Sequence, residues 1–303
     1  MINRKSLIIF LGTAFGVAWA LFLLPLAFGA PGSAEHRQVS LFAWAAAMWA
    51  PGLGAILATR YGDRRPQSSL RIMRLGPWQP YLWAWLAPPL LVAAAGLSTW
   101  LLGFAEPDLE LKAVQASMAA AAKAQGVPGP ELSVWAIVSL QMAVALTIGP
   151  LFNTLFAMGE ELGWRGYLMP TLLPLGQMRA ILISGAVWGV WHAPAILQGH
   201  NYPDHPYWGV LLMVGFCVLF GIFLSWIYLR ALSPWAPALG HGSLNAAAGF
   251  PLLFLPGVNM ALGGTLTSLA GWLPLLLFAG WLIWSRRLPV QPVTGESGEP
   301  VNE

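Results

Sequence analysis

Apolar runs long enough to cross a membrane recur along this chain of 303 residues and constrain its fold more than any other feature. A helix needs about 20 mostly apolar residues to cross the hydrocarbon core, which is roughly 30 Å thick. Only 9% of the residues are charged, against about 25% in a soluble domain. The runs lack the short alternation of barrel strands. The sequence therefore predicts an all-α integral membrane protein with about eight transmembrane helices, near 6–29, 40–59, 79–104, 134–158, 180–198, 207–229, 235–255 and 264–284.

The basic residues predict the orientation of these helices. Twelve of the 15 Lys and Arg fall on the side of the N-terminus, and the other three are Arg37, Lys112 and Lys123. By the positive-inside rule both termini are cytoplasmic, in the inner (plasma) membrane of a cell. The first run is longer than the apolar core of a signal peptide, so we expect it to be retained. The net charge of +3 reflects this topology and does not indicate nucleic-acid binding.

The segments between and after the runs suggest a division of the chain. Residues 1–133 contain the first helices, a basic loop at 60–78 and an Ala-rich external loop that predicts a surface helix ended by Gly126 and Pro128. Residues 134–255 contain the next four predicted helices, 256–288 the last helix and 289–303 a disordered cytoplasmic tail. Trp and Phe are expected to face lipid or the membrane interface by default. The one cysteine, Cys217, excludes an internal disulfide.

Most ionisable side chains lie in loops, and the exceptions concentrate in the C-terminal half. A charge at mid-bilayer costs about 2.5–3.5 kcal/mol on insertion scales, and such residues usually face a bundle interior. Three neighbouring predicted helices contribute them, which predicts one shared polar cavity within the C-terminal helices. The polar residues in question are Glu160, Glu161, Arg165, His192, His241 and Asn245.

Spacing assigns these side chains to helix faces. Glu161 and Arg165 are four residues apart and can pair, whereas Glu160 points about 100° away from Glu161. His241 and Asn245 share a face in the same way, as do Trp188 and His192. Each feature alone has an ordinary explanation: a solvated helix end, a positive-inside anchor, or a hydrogen bond between helices. Their joint occurrence favours a functional site.

A common site also requires a change in the fourth predicted helix. Hydropathy places Glu160 at the end of the run 134–158, at a different depth from His192. We therefore expect a break near Gly149 and Pro150, followed by a helix that continues through Tyr167.

Three motifs in this half resemble those of a known family. The stretch "GEELGWRGYL" resembles the E-E-x-x-x-R signature of the CPBP family (CAAX protease and bacteriocin-processing enzymes, also called Abi), which includes the type II CAAX prenyl proteases. Trp188-x-x-x-His192 resembles the second motif, with Trp where Phe is usual, and His241-x-x-x-Asn245 resembles the third. The resemblance covers about residues 134–255 and implies that this range is the catalytic core.

The resemblance implies proteolysis within or next to the membrane. Glu160 would activate a water with help from His192, and His241 and Asn245 would stabilise the oxyanion. Glu161 and Arg165 would brace the site, with Trp188 in support. The implied substrate is a membrane-bound or lipidated protein or peptide. Ile196, however, stands where some members with CAAX activity carry Asn. This difference argues against a prenylated protein as the substrate and does not affect the catalytic residues.

The sequence leaves the cofactor and the function class open. A Zn²⁺ site of Glu160, His192 and His241 is possible, but no His-Glu-x-x-His helix is present, so we favour a reaction without a metal. The alternatives to an enzyme are a non-catalytic scaffold or bacteriocin-immunity protein and, less favoured, a transporter or proton relay. The sequence gives no indication of oligomeric state.

Overall fold

The computed structural model describes residues 2–129 and 131–290, and these residues form helices and loops with no β-strand. The N-terminal helices are α1 (Arg4–Leu23), α2 (Ala34–Ala47), α3 (Ala50–Leu57), α4 (Gln79–Leu101) and α5 (Lys112–Gln125). The C-terminal helices are α6 (Val134–Leu146), α7 (Ile148–Gly163), α8 (Met169–Leu172), α9 (Gln177–Trp191), α10 (Ala193–Leu197), α11 (Pro206–Ala231), α12 (Trp235–Ala247), α13 (Phe250–Phe254) and α14 (Leu269–Trp284).

Four helical stretches of the described chain are long and apolar enough to cross a membrane: Arg4–Ala27, Ala34–Gly62, Gln79–Leu101 and Pro206–Ala231. A fifth span results if Val134–Leu146 and Ile148–Leu175, which meet at 48°, are counted together. Large apolar side chains such as Ile8, Leu90 and Leu277 lie 66–71% exposed on the outside of the bundle, as a lipid-facing surface requires. The protein is thus an all-helical membrane protein, while the count of eight spans and the orientation stay predictions.

The predicted runs in the C-terminal half differ from the observed helices. The run 180–198 is divided at His192 into α9 and α10, and 235–255 is divided into α12 and α13. Proline explains both divisions, because Pro194 and Pro251 lie in the first turn of the following helix, where a missing N–H costs nothing. The last helix begins at Leu269 instead of 264 because the Ser268 side chain caps it by accepting from the Gly271 N–H.

The break in the fourth run lies at Thr147, between α6 and α7. Beyond it the helix continues from α7 through a π-helical turn at Trp164–Leu168 into α8. The prediction of a later helix that passes through Tyr167 is confirmed, and the boundary that hydropathy placed at residue 158 is wrong. Both glutamates consequently lie inside a helix.

Glycines let the helices that carry the polar residues approach their neighbours closely. A Cβ at Gly159 of α7 would lie 2.6 Å from the Met48 carbonyl oxygen, just before α3. A Cβ at Gly185 of α9 would lie 2.8 Å from Val218 Cα of α11, and one at Gly242 of α12 would lie 2.6 Å from the Thr154 nitrogen of α7. Small residues at such contacts are typical of helix packing in membranes, and here they allow close packing of α7 against α3 and α12, and of α9 against α11.

Two predictions outside the bundle have different outcomes. The Ala-rich segment forms α5, which has no buried residue and ends at Gly126 with φ of 67°, so the predicted surface helix is confirmed. The predicted disordered tail begins at 289, but from residue 291 onward it lies outside the described residues.

Candidate active site

Polar side chains from α7, the following turn, α9 and α12 meet in the interior of the bundle. Glu161 is 0%, Arg165 1%, Glu160 2% and His241 5% exposed. Arg165 was included among the twelve residues that orient the chain, but its burial excludes it as an anchor at the membrane surface. The cluster is therefore internal, as the sequence predicted for this half of the chain.

Glu161 is the centre of a buried ion pair. Its Oε1 and Oε2 accept from Arg165 Nη1 at 2.9 and 3.0 Å, which confirms the pair expected from their spacing. Glu161 Oε1 also accepts from His241 Nδ1 at 2.9 Å. Two donors from different elements thus hold one carboxylate, and they fix α12 against α7.

The π-helical turn at Trp164–Leu168 carries Arg165. Such wide turns are often found at functional sites. A Cβ at Gly221 of α11 would lie 3.2 Å from Arg165 Nη2, so the guanidinium occupies space that glycine leaves free. Arg165 Cζ also lies 4.3 Å from the centre of the Trp188 ring, a cation–π distance.

Glu160 has a separate partner. Its Oε2 accepts from the Trp188 indole N–H at 2.6 Å. This separation agrees with the 100° rotation between adjacent helix positions. Glu160 Oε1 makes no hydrogen bond to a described residue, yet it is not among the fully enclosed unpaired atoms. Glu160 therefore has one fixed oxygen and one free oxygen that retains accessible surface.

Trp188 contacts each part of the cluster. Besides binding Glu160 and stacking under Arg165, its ring centre lies 5.4 Å from that of His241 and 5.8 Å from that of His192. The predicted pairing of Trp188 and His192 on one face is thus present, and Trp188 also contributes a polar contact to the carboxylate.

His192 is bonded to the main chain of its own helix and makes no hydrogen bond to Glu160. Its Nδ1 donates to the Trp188 carbonyl at 3.0 Å. Because α9 ends at Trp191, the His192 main-chain N–H bonds to Gly189 instead of Trp188, and the imidazole supplies the missing donor.

His241 and Asn245 lie one turn apart on α12 but differ in surroundings. With His241 Nδ1 bonded to Glu161, the ring's Nε2 has no hydrogen-bond partner among the described residues and is not fully enclosed. Asn245 is exposed and is not bonded to the cluster. The structure thus joins Glu160, Glu161, Arg165, Trp188 and His241, places His192 beside them, and leaves Asn245 at the edge.

The described structure does not arrange the candidate zinc ligands around a common centre. Zinc needs Glu160, His192 and His241 to point their donors at one centre. Glu160 Oε2 is bonded to Trp188 and His192 Nδ1 to a carbonyl, so only Glu160 Oε1 and the Nε2 atoms of the two histidines could face a metal. The described residues contain no group of three or more His, Cys, Asp or Glu arranged to hold a metal.

Trp164 is a member of the site that the sequence analysis did not assign. Its indole N–H is buried without a hydrogen-bond partner among the described residues, and it lies close enough to the Glu160 carboxylate to interact with it. The signal was available: Trp164 is four residues after Glu160, the same spacing that pairs Glu161 with Arg165.

Comparison with known families supports the motif assignment. The model of a family described as "Type II CAAX prenyl endopeptidase Rce1-like" matches residues 132–247, a range that includes all the polar residues of the cluster. The match confirms the resemblance that the three motifs indicated. No curated protein matches the chain.

Proposed function

We propose that this chain, whose residues 132–247 match the model of the type II CAAX prenyl endopeptidase Rce1-like family, is an endopeptidase that cleaves a peptide bond near the membrane face carrying the basic loop. One observation carries the proposal. Glu160 Oε1 and His241 Nε2 lack hydrogen-bond partners among the described residues without being fully enclosed, whereas the other unpaired atoms of Arg165 and Trp164, Nε and Nε1, are fully enclosed. Hydrolysis of an amide needs an acceptor that takes a proton from water and a donor that stabilises the oxyanion, and these two atoms of Glu160 and His241 can supply both.

Glu160 acts as the general base in this proposal. Its free oxygen takes a proton from a water molecule while the water oxygen bonds to the carbonyl carbon of the substrate. When the C–N bond breaks, the same proton passes to the leaving nitrogen. The hydrogen bond from Trp188 keeps the carboxylate oriented for both transfers, which is a geometric requirement of acid–base catalysis.

His241 and Asn245 stabilise the oxyanion. Glu161 fixes the His241 ring through Nδ1 at 2.9 Å, so that Nε2–H of the charged ring can donate to the oxygen of the tetrahedral intermediate. Asn245 follows on the same helix face, and its amide is free to add a second donor. Donors of this type are most effective where water is scarce. The proposed route uses no metal ion.

A membrane-bound or lipidated substrate suits the surroundings of the site. An apolar cavity of about 460 Å³ lies between α4, α6 and α13, and its walls include Leu146 and Phe250. Phe250 follows Asn245 by five residues, so the cavity lies beyond the end of α12. An acyl or prenyl chain, or an apolar peptide segment, would be accepted there from the bilayer.

The test is cleavage of fluorogenic peptides, with and without a lipid anchor, by the purified protein in nanodiscs. Glu160→Gln keeps the size of the side chain and removes the base, so we expect the rate to fall at least about 100-fold. Glu110→Gln, at a carboxylate that is 74% exposed in a surface ion pair, is the control and should keep the wild-type rate.

Two results would contradict the proposal. Wild-type cleavage by Glu160→Gln would remove Glu160 from the reaction. Absence of cleavage by the wild-type protein across the peptide set would instead support the alternative of a non-catalytic scaffold or immunity protein.

A further inference from the structure

A second polar pocket lies outside the site, between the basic loop and the ends of two long helical stretches. Its volume is about 230 Å³. The polar side chains that line it are Arg65, Ser69, Arg71, Tyr167, Thr171 and Tyr228. The catalytic proposal uses none of these side chains.

The charge at this pocket is positive and incompletely neutralised. The loop 60–78 contains five Arg and one Asp. That aspartate, Asp63, accepts from Arg65 at 2.9 Å and from the Tyr167 hydroxyl at 3.2 Å. The Arg71 guanidinium, by contrast, makes no hydrogen bond or ion pair within the described residues. Because Arg71 is half-buried and lines the pocket, its charge acts within this confined space.

Two hydroxyl groups at the pocket also lack partners. Ser69 Oγ is buried with no hydrogen bond to a described residue, and the Tyr228 hydroxyl makes none. Thr171 is different, because its hydroxyl donates to the Tyr167 carbonyl at 2.8 Å. A guanidinium and two free hydroxyls around one pocket suit an anion with several acceptor oxygens.

The position of the pocket indicates which anion. Tyr228 lies three residues before the end of the apolar span Pro206–Ala231, and Thr171 lies near the end of Ile148–Leu175. The ends of membrane spans are at the level of the lipid headgroups, and basic loops attract anionic lipids there. The volume of about 230 Å³ equals that of roughly eight waters at about 30 Å³ each, enough for a phosphate ester.

We propose that this pocket binds the phosphate group of an anionic phospholipid, with Arg71 as the charged partner and the Ser69 and Tyr228 hydroxyls as additional donors. The proposal concerns a binding site apart from catalysis and holds whether or not the chain cleaves peptides.

Thermal unfolding of the full chain in a neutral detergent tests the site. The probe is dihexanoyl-phosphatidylglycerol below its micelle concentration, with inorganic phosphate titrated in parallel. We expect a saturable rise of the unfolding midpoint with the lipid. In Arg71→Gln the half-saturating concentration should rise about tenfold, the effect of losing one charge-assisted hydrogen bond.

Arg64→Gln is the matched control. Arg64 and Arg71 lie in the same loop, and both have left-handed backbones, with φ of 56° and 57°. Arg64 is exposed and does not line the pocket, so its variant should bind as the wild type does. Should Arg71→Gln not fold, Tyr228→Phe removes one donor while keeping the ring, and should weaken binding about threefold.

The outcomes separate the possible ligands. A shift with the lipid at concentrations where inorganic phosphate has none supports a headgroup site. Equal potency of inorganic phosphate overturns the lipid assignment and makes the pocket a site for free phosphate. No saturable shift, or equal weakening in Arg64→Gln and Arg71→Gln, overturns the proposal, because the loop would then act only through its net charge.

Discussion

The adjacent residues Glu160 and Glu161 have different hydrogen-bond partners in this protein. The negative charge of Glu161 is compensated, since its carboxylate accepts two hydrogen bonds from Arg165 and one from His241. Glu160 receives one from an uncharged indole. A buried carboxylate without a cationic partner of its own is costly, and a purely structural role would not require it. The difference explains why Glu160 is the better candidate for chemistry.

Replacing Trp188 with Phe should separate its hydrogen bond from its packing. The variant keeps a ring beneath Arg165 but removes the N–H that holds Glu160 Oε2. We expect kcat for peptide cleavage to fall about tenfold, with little change in KM or unfolding midpoint, because the carboxylate would lose its orientation.

Trp191→Phe is the matched control for this change. Trp191 is also 1% exposed on α9, and its indole donates at 3.0 Å to the Ala14 carbonyl instead of to a glutamate. An equal loss of kcat in both variants would mean that Trp188 acts through packing alone.

The ion pair predicts a non-additive effect on stability. Arg165→Met leaves the Glu161 charge buried with only His241, and Glu161→Gln leaves Arg165 unpaired. Each single change should lower the free energy of unfolding by about 3–5 kcal/mol, and the double variant should lose less than the sum. Denaturant unfolding of the four proteins in micelles measures this coupling. Strict additivity would show that the pair contributes nothing as a pair.

At the level of helices, the position of α7 depends on glycines on either side of the glutamates. Gly159→Ala would place a Cβ 2.6 Å from the Met48 carbonyl oxygen, so α7 must move away from α3. We expect lower unfolding midpoint and activity. Gly16→Ala, in α1 with nothing within 4 Å of the added Cβ, should be neutral or slightly stabilising, since Ala favours helix by about 1 kcal/mol. Equal behaviour of the two variants would exclude close packing as the cause.

Sequence periodicity could predict which side chains share a helix face but not every hydrogen-bond partner of those side chains. The Glu161–Arg165 pair and the continuation of α7 follow from spacing and from the need for a common depth. The contact of His192 with a carbonyl could not be predicted, because it depends on the end of α9 at Trp191. Composition was also misleading for tryptophan. Trp164, Trp191 and Trp226 are fully buried, whereas the default expectation placed them at lipid or the membrane interface, and only packing separates these environments.

Across the whole molecule, contacts between distant segments define two opposite ends of the bundle. At one end Asn3 Nδ2 donates to the Gly62 carbonyl at 3.2 Å, and Trp235 Nε1 donates to the Ile72 carbonyl at 2.7 Å. At the other end His36 Nε2 lies 2.9 Å from Gln198 Oε1. The start of α1 and the basic loop therefore share one end, as the predicted topology requires.

Single-cysteine labelling tests the orientation and the number of spans together. In a Cys217→Ala background, Ser68→Cys, Ser117→Cys and Ser285→Cys place one thiol each at exposed serines of the basic loop, α5 and the end of α14. Cytoplasmic termini and eight spans predict that an impermeant maleimide labels only Ser117→Cys in intact cells, and all three after permeabilisation. Labelling of Ser285→Cys from outside, with Ser68→Cys protected, would require an odd number of crossings between them. Labelling of Ser68→Cys from outside would reverse the orientation, because the positive-inside rule places that Arg-rich loop in the cytoplasm.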